Sequence, residues 1–151
     1  MKVIREKKHR LPPECYRGRV IIAFTACVKD RIPFFVTRDR FQPMEQLLNL
    51  VLERRGCSAE IYLFMPDHAH MLLRGSSGES DLLETMYEFK QRSGFWLKQH
   101  HAGARWQKDF YDHLLRWEEE TGRRMPYILE NPVRAGLCTD WKNYALKGST
   151  V

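Results

Sequence analysis

The sequence predicts an α+β domain in which one antiparallel sheet carries helices on a single face. Three observations lead there. Short runs rich in Val, Ile, Phe and Thr, such as RVIIAFTACV at 19–28, have the composition of strands. Longer runs place apolar residues three and four apart, the period of a helix. The two kinds arrive as strand, helix, strand, strand, helix, strand, and 151 residues make a single domain by size.

Taken in order, residues 1–15 open with MKVIREKKHR, which is basic and lacks the apolar segment and cleavage site of a secretory leader. They read as a flexible cationic arm. The first strand, at 19–28, is apolar on both faces and belongs in the middle of the sheet. Residues 29–33 turn the chain and 34–39 form an irregular link. A helix then follows Pro43, with Met44, Leu47, Leu48 and Val51 along one stripe, and Gly56 stops it. Strands are expected at 60–65 and 68–74, joined tightly through Pro66 and Asp67 and therefore antiparallel.

GSSGES at 75–80 is the clearest loop. Ser80 is expected to cap the next helix, which buries Leu82, Met86 and Phe89 and runs to about residue 101, before Gly103. Residues 104–115 form the fourth strand region. This order is that of a ferredoxin-like fold, which leaves the second face of the sheet for a ligand or a further element. The last third supplies the element: a helical stretch opening at 117–120, interrupted by Gly122 and Pro126, and resumed at 127–131 before Pro132.

Composition narrows the function classes. Cys15, Cys27, Cys57 and Cys138 are scattered without a C-x-x-C pair, which argues against a zinc knuckle or a disulfide framework and fits reduced thiols in a cytoplasm. The apolar runs are too short to cross a bilayer. Twenty-five Lys and Arg against nineteen Asp and Glu leave a charge of +6 and a pI near 9.3, a balance that favours polyanionic partners.

The stretch most loaded with chemistry is MPDHAHMLL at 65–73. His68 and His70 stand two apart, so a strand points both imidazoles from one face while Ala69, Met71 and Leu73 enter the core behind them. Such a pair is ready to ligate a metal, and it is equally what a half-exposed polar strand face looks like. Further on, Tyr127 and Asn131 are four apart and share one face of a helix. They could meet a metal held by the histidines, or simply end a helix before Pro132.

The combination resembles the REP-associated tyrosine transposases, relatives of the insertion-sequence transposases with a single catalytic tyrosine and a His-hydrophobic-His motif. Four pieces carry the resemblance: RIPFF at 31–35, MPDHAHMLL at 65–73, WQKDFYDHLLR at 106–116 and YILENPVRAGL at 127–137. It implies a ferredoxin-like core, a divalent ion (Mg²⁺ or Mn²⁺) held by His68, His70 and Asn131, and Tyr127 as nucleophile. It further implies cleavage and joining of single-stranded DNA near hairpins through a 5′-phosphotyrosine, by a protein that acts as a monomer rather than a dimer.

A phenol of pKa about 10 is only ~0.1% ionised at neutral pH, so Tyr127 needs assistance to attack a phosphate. Tyr111 is the rival nucleophile, without a polar ligand at helical spacing. Lys90, Arg92, Trp106, Gln107 and Arg134 are the candidates for DNA contact, from the mixture of cations and flat rings that suits a single strand. Glu118, Glu119 and Glu120 could orient a ligand histidine. Pro126, immediately before Tyr127, is expected to kink or shorten the helix that aims the phenol. The alternative function is a non-catalytic protein of this fold that binds structured single-stranded nucleic acid.

Overall fold

The computed structural model of the chain describes residues 10–116 and 118–151. Its strands are β1 (Ile21–Cys27), β2 (Cys57–Met65), β3 (His68–Gly75), β4 (Tyr111–Leu115) and β5 (Lys147–Gly148); its helices are α1 (Arg38–Arg54), α2 (Leu82–His100), α3 (Glu118–Leu129) and the short α4 (Asn131–Arg134). The five strands form one sheet in the order β4-β1-β3-β2-β5, and every pairing is antiparallel. The first four reproduce the expected ferredoxin-like arrangement.

Register assigns the two faces. Tyr62 and Phe24 flank Met71, and Phe64 pairs with Ala69, so these residues share a face. Phe41 of α1 packs its ring on Tyr62 and Phe64, which identifies this as the face under α1 and α2. Ala69, Met71 and Leu73 are fully buried there, as the alternation predicts. On the opposite face the rows run Tyr111, Thr25, His70, Leu63 and His113, Ala23, Leu72. Helix α3 crosses this second face against β2 and β4, burying Thr121 and Ile128. Every residue of β1 is buried because both of its faces are covered.

Several local expectations change. Helix α1 begins at Arg38, five residues before Pro43, because buried Phe41 anchors its first turns to the sheet. The missing N–H of Pro43 leaves only the carbonyl of the exposed Asp39 unbonded, a tolerable loss early in a helix. Asp81, not Ser80, caps α2 by accepting from the N–H groups of Leu83 and Glu84. Ser80 instead ties the preceding loop, donating to the Gly56 carbonyl and accepting from the N–H groups of Ser76 and Ser77.

Only Tyr111–Leu115 of the expected fourth strand region is a strand. The preceding segment is committed elsewhere: Trp106 forms a lone bridge with Val28 and drops its indole into the core. Part of the segment expected to be an arm, 1–15, is docked on the domain. Residues 1–9 and Trp117 lie outside the described residues, but Arg10 pairs with buried Asp112 at 2.8 Å, and Tyr16 is fully buried and donates to the same carboxylate.

The C-terminal end closes the sheet with a strand the sequence did not reveal. The Tyr144 hydroxyl donates to the Phe64 carbonyl, and β5 pairs with Tyr62 and Leu63. Gly148 is required at that pairing because a Cβ there would overlap the Tyr62 hydroxyl.

Candidate active site

The tight turn ahead of His68 is pinned from several directions. The Pro66 carbonyl accepts from the N–H groups of Phe34 and Phe35, and the Asp67 carbonyl accepts from Val28 N–H. Arg31 donates from Nε to Asp67 Oδ2 at 2.9 Å. Asp30 and Arg31 hold left-handed φ values of 60° and 54°, unusual for residues with a Cβ and the local cost of delivering that guanidinium. The RIPFF and MPDHAHMLL stretches thus meet in space.

From this turn β3 projects His68 and His70 from the second sheet face, with ring centroids 4.8 Å apart and planes at 88°. Each ring is tied through Nδ1: His68 to Asp67 Oδ1 at 2.7 Å, and His70 to the Thr25 hydroxyl at 3.0 Å. Nδ1 of each ring is thereby engaged, which leaves Nε2 of each as the nitrogen with ligand chemistry. Burial holds the pKa of His68 below its usual value despite the neighbouring Asp67 carboxylate. His70 is held well below as well, by burial first and then by the charges of His68, Arg134, Arg124 and Arg31. For Asp67, burial works toward protonation, but hydrogen bonds from His68 and Arg31 prevail and keep its carboxyl below the ordinary range. The result is two neutral imidazoles, the form that binds metal, oriented by a carboxylate and a hydroxyl.

Helix α3 runs uninterrupted through Gly122 and Pro126, contrary to the expected break. Both residues are exposed, so the carbonyl of Gly122, which Pro126 cannot serve, faces water. Tyr127 is 45% exposed and lines an open cavity of about 330 Å³ with His113, Leu115, Glu120, Arg123 and Arg124. His113 and Leu115 lie on the same sheet face as the histidine pair, so the phenol stands over that face. Arg134 lies 4.2 Å above the Tyr127 ring and donates from Nη2 to its carbonyl at 2.6 Å.

Asn131 begins α4 rather than continuing α3. Pro132 has no N–H to offer the Ile128 carbonyl, and Asn131 Nδ2 supplies that hydrogen bond at 3.2 Å instead. Its Oδ1 remains the atom with ligand chemistry.

The expected DNA contacts separate. Lys90 spends its ammonium on the carbonyls of Gln107, Lys108 and Asp109, and Arg92 pairs with Glu88 at 2.7 Å; both belong to α2, behind the sheet. Trp106 is buried, donates to Ser93 Oγ at 2.8 Å and packs on Phe35, which makes it core rather than a platform for bases. Gln107 is half-buried, its N–H bonded to the Cys27 carbonyl. Only Arg134 stands beside the proposed nucleophile. Glu118 pairs with Arg74, Glu120 accepts from Arg116 N–H, and the side chain of Glu119 lies outside the described residues; the carboxylate bonded to His68 is Asp67. Asp67 was detectable as the immediate neighbour of His68. Thr25 was not, since its partner is set by strand register.

Among the described residues no helix is long and apolar enough to cross a membrane, and no cluster of three His, Cys, Asp or Glu could hold a metal.

The chain is 24% identical over 133 residues to a protein of Haemophilus influenzae named as a REP-associated tyrosine transposase, covering 78% of this chain and 74% of that one. A REP-associated tyrosine transposase solved with a REP hairpin superposes with a TM-score of 0.78 at 19% identity, covering 93% of this chain and 81% of the other. A protein of Deinococcus radiodurans described as a transposase superposes at 0.57 with 17% identity, over 81% of this chain and 95% of its own. Residues 18–116, which hold both histidines and end before Tyr127, match the family described as IS200-like transposases, and the chain belongs to that family.

Proposed function

We propose that the protein is a metal-dependent endonuclease and strand transferase that acts on single-stranded DNA near hairpins, with Tyr127 as nucleophile. The observation that carries this reading is the histidine pair itself: two neutral imidazoles on one sheet face, 4.8 Å apart between centroids, each fixed through Nδ1 by a neighbouring side chain. A polar strand face with no task would not need Asp67, Thr25 and a left-handed Arg31 to hold its rings.

The donor set fits a divalent ion. His68 and His70 would supply nitrogen and Asn131 Oδ1 oxygen, all neutral, which suits Mn²⁺ or Mg²⁺ with water completing the shell. Such an ion polarises a phosphate and offsets the charge that develops on it. The chain's own residues do the rest. Tyr127 Oη, having released its proton to water, bonds to phosphorus; the bond from phosphorus to the 3′ oxygen breaks and that oxygen takes up a proton. The products are a 5′-phosphotyrosine and a free 3′-hydroxyl, and attack by a 3′-hydroxyl reverses the step without any nucleotide cofactor. Arg134 and Arg124, both close enough to influence His70, add positive charge where a phosphate would dock.

A solved protein of this fold is bound to a REP hairpin, which supports a DNA hairpin as the partner of this chain. His68, His70 and Tyr127 cover one sheet face of one chain, so the reading has the site completed within a monomer. It is tested by incubating labelled hairpin oligonucleotides with Mn²⁺ or Mg²⁺ and resolving covalent adducts on a denaturing gel. An adduct that needs the ion and disappears in Tyr127→Phe but not in Tyr111→Phe supports the proposal. Loss in Tyr111→Phe alone moves the nucleophile to β4. Tight binding without adduct selects the non-catalytic alternative.

A further inference from the structure

Helices α3 and α4 meet at Glu130, which belongs to neither, so a joint falls between Tyr127 in the last turn of α3 and Asn131 at the start of α4. The last carbonyls of a helix need partners from beyond its end. Two side chains of α4 provide them. Asn131 Nδ2 donates to the Ile128 carbonyl, which Pro132 cannot serve, and Arg134 Nη2 donates to the Tyr127 carbonyl at 2.6 Å. The same guanidinium lies over the Tyr127 ring, 4.2 Å from its centroid. Arg134 thus holds one residue twice, by its backbone and by its ring face, across seven positions of chain. Among the described residues the cavity in which Tyr127 stands is lined by Arg123 and Arg124 but not by Arg134, which therefore packs on the phenol from outside it. A lysine could supply the favourable charge at the end of α3, but not a flat face for the ring.

We propose that Arg134 is a positioning residue, a clasp across the α3–α4 joint that fixes the direction of the Tyr127 phenol and ties it to the helix that begins with Asn131. The proposal rests on the reading of Tyr127 as nucleophile and adds to it how the phenol is aimed: nucleophile and candidate ligand move as one body. Arg134 acts through its packing and its hydrogen bond on Tyr127, not by holding a phosphate.

The test compares the wild type with Arg134→Gln and Arg134→Lys in three measurements. Hydrogen exchange is followed first, without DNA or metal. The amides of Glu130 and Ala135, bonded to the carbonyls of Pro126 and Asn131, are expected to exchange faster in both variants, while those of β1 exchange as in the wild type. Binding of a fluorescent DNA hairpin with a single-stranded tail is expected to keep its affinity and its log–log salt slope. Adduct formation at Tyr127 in Mn²⁺, measured in a single turnover, is expected to slow roughly 10–100-fold in both variants, the scale of a small misplacement of a reacting group. Unchanged exchange at Glu130 and Ala135 overturns the clasp, and so does faster exchange throughout the chain, which would make Arg134 a general stability residue. A salt slope lowered by about 0.7 makes it a phosphate ligand. An adduct rate restored by Arg134→Lys reduces its part to charge, which also overturns the proposal. If the wild type forms no adduct, the catalytic reading fails, and the exchange at the joint decides the clasp by itself.

Discussion

Asp67 Oδ1 lies 2.7 Å from His68 Nδ1, while Oδ2 of the same carboxylate is held by Arg31 at 2.9 Å. One side chain thus connects the backbone turn at residues 29–31 to an imidazole, and it holds that ring through Nδ1 beside the ring of His70. The neighbouring tie, from Thr25 to His70, does the same from the central strand.

Asp67→Asn keeps the shape of this arrangement but removes its charge. Outer-shell partners of ligand histidines are worth roughly 10–100-fold in metal affinity. Calorimetric titration with Mn²⁺ is expected to show a loss within that range for Asp67→Asn and a smaller loss for Thr25→Val, with little change in thermal stability for either.

Helix α3 runs through an exposed glycine, and a Cβ at Gly122 meets open space. Gly122→Ala is therefore expected to stabilise the protein by up to about 1 kcal/mol, read from denaturant midpoints. Because the helix is already continuous past Pro126, the variant should form Tyr127 adducts at the wild-type rate. A helix that needed its break for function would lose activity instead.

Trp106 is a core residue with one polar tie, its indole N–H to Ser93 Oγ. Trp106→Phe strands that hydroxyl's acceptor role and leaves a void, so a stability loss of about 1–3 kcal/mol is expected. Affinity for a DNA hairpin, measured below the variant's unfolding temperature, should be unchanged.

The buried phenols define the alkaline limit. Tyr16, Tyr62 and Tyr144 are each raised from 10.0 to about 12, by burial first and, for Tyr16 and Tyr62, by hydrogen bonds to Asp112 and Glu45. In this window the unfolded chain has lost protons that the folded chain retains, so stability is full below about 10 and falls as pH rises toward about 12. Tyr16→Phe lowers stability at neutral pH by removing the bond to Asp112 but makes the alkaline decline shallower, which chemical denaturation across that range would show.

The sheet order and the histidine pair were legible because both rest on local periodicity: a period of two places His68 and His70 together whatever surrounds them, and β1 announces its central place by being apolar throughout. What was not legible depends on contacts between distant segments. The start of α1 ahead of Pro43 is decided by where Phe41 packs. The continuity of α3 through Gly122 and Pro126 is decided by the sheet beneath Thr121 and Ile128, which outweighs two unfavourable propensities. Trp106 and Lys90 looked like a binding surface because sequence shows a ring and a charge, not the serine and the three carbonyls that occupy them. β5 is two residues long and is defined by its partner. At the site, Tyr127 was found through a stretch that resembles a family, whereas the partners of Asn131 and Arg134 follow from the gap left by Pro132 and the turn between α3 and α4.

The most direct test of the central claim is to isolate the covalent product of the protein with a single-stranded hairpin substrate in Mn²⁺, digest it with nuclease and protease, and locate the nucleotide by mass spectrometry. A 5′-linked nucleotide is expected on the peptide containing Tyr127, and no adduct from a His68→Ala/His70→Ala variant that binds the hairpin normally. A nucleotide on Tyr111, or adducts that persist without both histidines, would contradict it.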